Sequence, residues 1–339
     1  ITPIVEDLPS LGDHHTNGPA VGPDGWIYFG QGTATNSGVV GVDNAQFGWL
    51  HRFPKFHDVP CRDLTLAGKN YTTENPLDEA SSATVTTGAF VPFGTSTRGG
   101  QVVRGEIPCT GSVMRVRPDG SNLELVGWGF RNPFGLAFAP DGRLFVTENG
   151  YDDRGSRPVF GTGDLLREVH RGQWHGWPDH FAHIPLGGSF APPDEKNVAR
   201  LLKNWPNEPP RAAAKFAVHS SSNGIDFDHN GRFGDSGLAY VAQFGDMAPG
   251  VGKVLNPAGF KVVRVDPATG VIEDFAVNLG SHNGPASLLE TGGLERPVAV
   301  RFHPRENALY VVDFGVMTIS ERGPNPLKET GVLWKITRR

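Results

Sequence analysis

The chain has no surplus of positive charge: 31 Lys and Arg stand against 36 Asp and Glu, a formal net charge of -5. That balance argues against a nucleic-acid partner, which needs a basic groove. It also has no uninterrupted apolar run of about 18 residues, so no membrane span is expected. The first residues, Ile1-Thr2-Pro3-Ile4-Val5-Glu6-Asp7, lack the charged head and apolar core of an export signal. A soluble chain is expected, with any export signal outside it. Helical patterning is scarce as well. The 45 Gly and 28 Pro punctuate the chain with turns, and helix-forming character is confined to pieces such as Asp164-Leu165-Leu166-Arg167-Glu168-Val169 and Val198-Ala199-Arg200-Leu201-Leu202. Cysteine is rarer still. Cys61 and Cys109 each follow a proline in a loop-rich stretch, where a bridge would close a long loop and contribute about 4 kcal/mol in the loop-entropy model. Such a bridge implies an oxidising compartment; two free buried thiols are the alternative.

What the chain does have is repetition. Four segments, Gly18 to Gly32, Gly135 to Gly150, Gly224 to Gly245 and Arg296 to Gly315, share a turn followed by an apolar and aromatic strand that runs into glycine. Partner strands lie between them: Gly111 to Gly120, Phe260 to Asp266 and Gly331 to Ile336. Short strands recurring with turn residues predict an all-β chain and a β-propeller, with a sandwich as the alternative. About four blades are recognisable, and one domain over 1–339 is expected. Ile1 to Pro9 resembles the outer strand of a blade whose inner strands are missing, which predicts a propeller lacking N-terminal blades. The stretches 43–110 and 178–210 are read as loop-rich insertions that shape the mouth of the ring.

Two polar clusters stand out against this pattern. Gly12-Asp13-His14-His15-Thr16 precedes the turn Gly22-Pro23-Asp24-Gly25 and the strand Trp26-Ile27-Tyr28-Phe29. Two imidazoles are thereby expected at a strand entrance, where a titratable group can reach a substrate. Adjacent residues on a strand point to opposite faces, which argues against a zinc pair. The second cluster, Gly129-Phe130-Arg131-Asn132-Pro133-Phe134-Gly135, leads into the next repeat. A histidine-bearing and an arginine-bearing repeat suggest a site shared between blades.

The runs Gly12-Asp13-His14-His15, Gly22-Pro23-Asp24-Gly25, Phe130-Arg131-Asn132-Pro133-Phe134-Gly135-Leu136-Ala137-Phe138, Thr147-Glu148-Asn149-Gly150 and His175-Gly176-Trp177-Pro178 resemble the glucose/sorbosone dehydrogenase family, most closely its sorbosone branch. The resemblance extends from Leu8 to the C-terminus. It implies a six-bladed propeller that oxidises a sugar or sugar aldehyde with pyrroloquinoline quinone (PQQ) and Ca2+. An external electron acceptor, a cytochrome or quinone, and a periplasmic or extracellular location go with it. His14 matches the base that takes the substrate's hydroxyl proton, and Asp13 its acidic neighbour. Arg131 and Asn132 match the pair that contacts the cofactor, whose three carboxylates call for guanidinium. Arg296 matches a late arginine that holds a carboxylate, and Asn149 and His219 are further expected contacts. The carbonyls of Gly150 and Tyr151 match the calcium ligands, with Asp152 and Asp153 nearby. Gln243 and Asp246 lie where the third repeat's strand emerges, and Trp128, Trp174 and Trp177 are expected to pack between blades.

The sequence departs from the family at three points. Thr33 stands where glucose dehydrogenases place an aspartate beside the base, so that partnership is absent or supplied by Asp13. Neither Lys253 nor Lys261 aligns cleanly with the family's cofactor lysine. About two blades that precede the histidine motif in the family are not in this sequence, so the expectation is that a missing N-terminal segment or a second chain completes the ring, or that this chain closes differently. Two other classes share the scaffold: a calcium-dependent propeller hydrolase or lactonase, and a non-catalytic propeller that binds carbohydrate or protein.

Overall fold

The structure is a computed structural model that describes residues 1–339 apart from 79–82, 232, 235, 249–255, 281, 321–322 and 339. Lys253 therefore lies outside the described residues. The chain divides into two compact units, one made of Ile1–Pro133, Tyr151–Thr162 and His170–Arg211, the other of Phe134–Gly150, Gly163–Val169 and Ala212–Arg339. Both are built from antiparallel sheet. Among the described residues no helix is long and apolar enough to cross a membrane.

The first unit holds a four-stranded sheet of Ala20–Val21, Ile27–Gln31, Ser112–Val116 and Glu124–Trp128, in that spatial order. The chain between its second and third strands, which contains the whole of the expected insertion 43–110, forms two short helices, Val42–Gln46 and Trp49–Arg52, and the strand pair Asn70–Glu74 with Thr84–Gly88. The strand pair Leu64–Thr65 with Val102–Val103 belongs to it too. Cys61 and Cys109 are joined in a disulfide, with a Cα–Cα distance of 5.1 Å. Ile1 to Pro9 forms no strand, contrary to the expectation of a blade edge; Val5 and Leu8 instead pack as loop residues against Phe29, Met114 and Val116.

Among the described residues the second unit holds three larger sheets and the strand pair Met317–Ser320 with Gly323–Pro326. One comprises Pro133–Phe138, Leu144–Glu148, Gly163–Glu168 and Ala214–Val218; the next Ser222–Phe227, Ala239–Gln243, Lys261–Val265 and Ile272–Ala276; the last Pro297–Phe302, Ala308–Asp313 and Val332–Thr337. Each is a meander in which successive strands are neighbours, the layout of a propeller blade. The strand Ala239–Gln243 shows why they stack. Its residues alternate between two cores: Ala239 and Val241 meet Phe145, Leu166 and Phe227, while Tyr240 and Ala242 meet Val300, Leu309 and Val311. A strand covered on both faces reads as a continuous apolar run, and this one does.

Neither expected helix forms. Gly163–Glu168 is a strand, and 198–202 has no helix. Every side chain from Gly163 to Arg167 is buried, which suits an internal strand and not an amphipathic helix with one wet face. The repeated turns do share one chemistry. Gly25, Gly120 and Gly142 take φ of +77, +84 and +87, and in each turn the preceding aspartate accepts a hydrogen bond from the residue just after the glycine.

Candidate functional site

In the first unit the histidine segment runs antiparallel to the chain leaving the strand Ile27–Gln31. The His14 N–H donates to Thr33 O at 3.1 Å, and the Gly32 N–H donates to His15 O at 3.0 Å. The imidazoles thus lie at the exit of that strand and not at its entrance. Close approach is possible because residue 32 is glycine: a Cβ there would sit 2.3 Å from the His14 Cβ. His14 is buried and His15 exposed, as opposite-facing neighbours must be.

The environment of His14 assigns its tautomer. Nδ1 lies 2.9 Å from Thr33 O and 3.0 Å from Thr33 Oγ1. The Thr33 hydroxyl donates its own proton to Thr35 O at 2.7 Å. Both oxygens facing Nδ1 are therefore acceptors, so Nδ1 carries the proton and Nε2 the lone pair. Nothing among the described residues hydrogen-bonds Nε2. Burial, reinforced by the positive fields of Arg131 and Arg154, holds the imidazole's pKa well below the ordinary histidine value. His14 is thereby a neutral base at neutral pH.

Among the described residues no hydrogen bond joins the Asp13 carboxylate to the His14 ring. That buried carboxylate accepts from Arg154 Nη2 and Asn44 Nδ2, each at 2.9 Å. Arg154, which the sequence reading missed, also pairs with Asp43 and Asp152. The Arg131 guanidinium sits beside this cluster, donating from Nη2 to Asp152 Oδ2 at 2.8 Å and from Nε and Nη2 to Asn36. Burial raises both Asp13 and Asp43, the latter to about 6, helped by the neighbouring charges of Asp152 on Asp13 and of Asp13 on Asp43 and opposed by Arg154. Although burial alone would depress it, the Arg154 pKa is raised by Asp13, Asp152 and Asp43. Arg154→Met would take the paired cation from the Asp13 and Asp43 carboxylates and leave Asp152 with Arg131 alone. It is expected to lower stability by about 3–5 kcal/mol, read as the shift of a urea unfolding curve.

Asn132 is buried next to the histidine segment, and its Oδ1 accepts from Asn17 Nδ2 at 3.2 Å. Tyr151 is also buried; its carbonyl accepts from Thr162 Oγ1 at 3.1 Å. The polar run Thr33 to Ser37 carried the missed information. Thr33, Thr35, Asn36 and Ser37 are all buried. Uncharged polar residues directly after an apolar strand must find partners when buried, and here they organise His14 and Arg131. Asp58 belongs to the same network, accepting from Ala34 N and Thr35 Oγ1, and burial pushes its carboxyl up to about 6.

The second unit holds the remaining candidates. Asn149 Nδ2 donates to Ser222 O at 3.2 Å, and the Gly150 N–H donates to Asp164 Oδ1 at 3.0 Å. Asp164, raised by burial, also accepts from Ser220 Oγ and Ser222 N, so one carboxylate ties both expected site loops together. His219 and Ser221 take left-handed φ of +56 and +48 in the second of those loops, a costly conformation for residues with a Cβ. Gln243 donates to Ser222 Oγ at 3.0 Å. Lys261 is ion-paired with Asp274 at 2.6 Å. Trp128, Trp174 and Trp177 in the first unit are buried, as packing residues should be.

Arg296 differs from every other buried guanidinium described. Its Nη1 donates to three main-chain carbonyls, of Phe244, Gly245 and Asp246, at 3.4, 3.4 and 3.0 Å. Its plane lies against Phe244 and Phe260, 5.1 Å from each ring centre. Its Nε is buried with no partner, and among the described residues it forms no ion pair. Burial lowers its pKa, against the pull of Asp246, Glu295 and Asp313.

No protein-family model matches the chain, and no curated protein matches it. Solved structures do resemble it. The PQQ-bound form of aldose sugar dehydrogenase from Streptomyces coelicolor is 14% identical over 97% of this chain and 96% of that one, with a TM-score of 0.40. The holo form of the pyranose dehydrogenase PQQ domain from Coprinopsis cinerea is 12% identical over 88% and 68%, with a TM-score of 0.48. The calcium structure of a family AA12 carbohydrate-active enzyme from Trichoderma reesei is 14% identical over 90% and 67%, with a TM-score of 0.49. Likenesses at this level assign the chain to no family.

Proposed function

We propose that the chain is a PQQ-dependent dehydrogenase of a sugar or sugar aldehyde, its sheets serving as blades of a propeller of the six-bladed family type. The observation that carries this reading is His14, a neutral buried imidazole whose Nδ1–H is fixed on Thr33 and whose Nε2 lone pair is unclaimed among the described residues. That is the state a general base needs. His14 Nε2 takes the hydroxyl proton of the substrate as its carbon gives up hydride. The positive fields of Arg131 and Arg154 then favour prompt release of that proton. Asp13 contributes through Arg154 and not as a direct partner of the imidazole.

For the cofactor, Arg296 supplies the best fit. The edge formed by Nε and Nη2 is the fork that a carboxylate accepts in bidentate fashion; among the described residues Nε has no partner and no bond from Nη2 is seen. Arg131 enters with its charge already matched by Asp152, so with Asn132 it orients more than it neutralises. Asn149 and His219 are assigned as further contacts. When bound, the ortho-quinone supplies a two-electron hydride acceptor. For calcium the donors are main-chain: the carbonyls of Gly150 and Tyr151, the latter also accepting from Thr162 Oγ1. Asp152 adds nothing, since its carboxylate faces Arg131 and Arg154, and no group of three acidic, His or Cys side chains that could hold a metal gathers among the described residues. The Cys61–Cys109 bridge suits a periplasmic or extracellular location.

The test is direct: supply PQQ and Ca2+ to the purified chain and follow dye reduction with aldoses and with sorbosone. Sugar-dependent reduction that a chelator abolishes and Ca2+ restores is the expected result. Absence of reduction with every sugar, together with no thermal shift on adding PQQ, overturns the reading in favour of a non-catalytic carbohydrate- or protein-binding propeller or a hydrolase.

A further inference from the structure

We propose that Asp58 is a positioning residue that fixes the tautomer of His14 through Thr35 and Thr33; its catalytic meaning rests on the dehydrogenase reading above. Asp58 is fully buried and forms no ion pair among the described residues. It accepts three hydrogen bonds: from Ala34 N at 2.7 Å and Thr110 Oγ1 at 3.1 Å on Oδ1, and from Thr35 Oγ1 at 2.5 Å on Oδ2. A buried carboxylate without a cation costs stability, so its position calls for another reason. The residues it grips are the two that follow Thr33.

The bonds form an ordered relay. Asp58 anchors Ala34 N and Thr35 Oγ1, which sets the peptide on which Thr35 O lies. Thr35 O takes the Thr33 hydroxyl proton at 2.7 Å. With that proton spent, Thr33 Oγ1 and Thr33 O present only lone pairs to His14 Nδ1. If Thr35 O were displaced, the Thr33 hydroxyl could turn its proton towards Nδ1 and compete with Thr33 O, which favours Nδ1–H, so that part of the population takes the Nε2–H form, which cannot accept a proton from a substrate. Asp58 comes from the insertion, three residues before Cys61, and its partner Thr110 directly follows Cys109, so the disulfide pins both ends of the anchor. A segment that looks like loop in the sequence thus reaches the base through three hydrogen bonds, Asp58 to Thr35, Thr35 to Thr33 and Thr33 to His14.

The readout is the tautomer itself, measured on the full chain without cofactor by NMR of 15N-labelled histidine, with the His14 signal assigned by its loss in His14→Gln. The wild type is expected to show one form, protonated at Nδ1. Asp58→Asn replaces one acceptor by a donor that meets an N–H or O–H, and is expected to give a mixture of tautomers. Turnover with PQQ should fall about tenfold or more, with the half-saturating PQQ concentration changed less than about twofold. A folded Asp58→Asn whose His14 remains wholly Nδ1–H overturns the relay. Should that variant fail to fold, Thr35→Ala removes only the hydroxyl that reaches Asp58 and is judged by the same signal. A tautomer shift in a chain that shows no PQQ-linked turnover would support the relay while removing the dehydrogenase reading.

Discussion

Replacing His14 with Gln is expected to lower PQQ-dependent sugar oxidation by about 10²–10⁴-fold while the affinity for PQQ stays within a few-fold of wild type. Glutamine preserves much of the volume and can donate to Thr33 O, so the strand exit keeps its geometry, but it offers no basic lone pair. The pH dependence follows from burial. Because the folded pKa is depressed below the unfolded value of about 6.5, the wild-type rate should hold as pH falls through 6.5 and decline only at the lower folded pKa. The stability consequence has a definite sign. Below pH 6.5 the unfolded chain binds a proton at His14 that the folded chain refuses, so this residue removes stability as pH falls from 6.5 towards the folded pKa. His14→Gln should abolish that component, giving a variant that loses less stability than wild type over the same interval. Rate measurements between pH 5 and 8, paired with urea unfolding at each pH, check both halves. A variant that keeps wild-type turnover takes His14 out of the base's role.

Much of the fold was legible because the sheets obey local rules. Pro-Asp-Gly turns and strands such as Ala239–Gln243 carry their geometry in a few consecutive residues, so the repeated segments all contain strands where they were expected. Gly163–Glu168 was misread because Leu165, Leu166 and Arg167 suit a helix in isolation, while burial on both faces imposes a strand. The site was legible as residue types and not as partnerships. His14 could be singled out from Asp-His-His before a turn, yet nothing local said that Thr33, and not Asp13, would face its ring. Arg154 was invisible because an arginine in an acidic loop is ordinarily a solvated surface charge. Its three carboxylates come from positions 13, 43 and 152, which only the folded chain assembles. Asp58 was hidden for the same reason: an insertion read as loop supplies a buried acceptor to a strand that precedes it.

Arg296→Lys should weaken PQQ binding by about 10²-fold, roughly 3 kcal/mol, while changing the stability of the cofactor-free chain little. The contrast rests on which atoms are engaged. Nη1 already serves the carbonyls of Phe244, Gly245 and Asp246, and an ammonium can be drawn into the same cage. Among the described residues the buried Nε has no partner to lose, so the free protein gives up little. What lysine cannot reproduce is the fixed pair of donors along the Nε–Nη2 edge, which a carboxylate meets with two parallel charge-assisted hydrogen bonds. The aromatic walls of Phe244 and Phe260 strengthen the argument, because a guanidinium stacked between two rings is held flat and shielded from water. The equivalent change at Arg131 should behave in the opposite way. Its guanidinium pairs with Asp152 and Asn36 in the resting protein, so Arg131→Lys should cost stability first and cofactor affinity second. Titration calorimetry with PQQ and urea unfolding of both cofactor-free variants separate the two cases. Equal PQQ affinities for Arg296→Lys and wild type would mean that the unpaired fork holds no carboxylate of the cofactor.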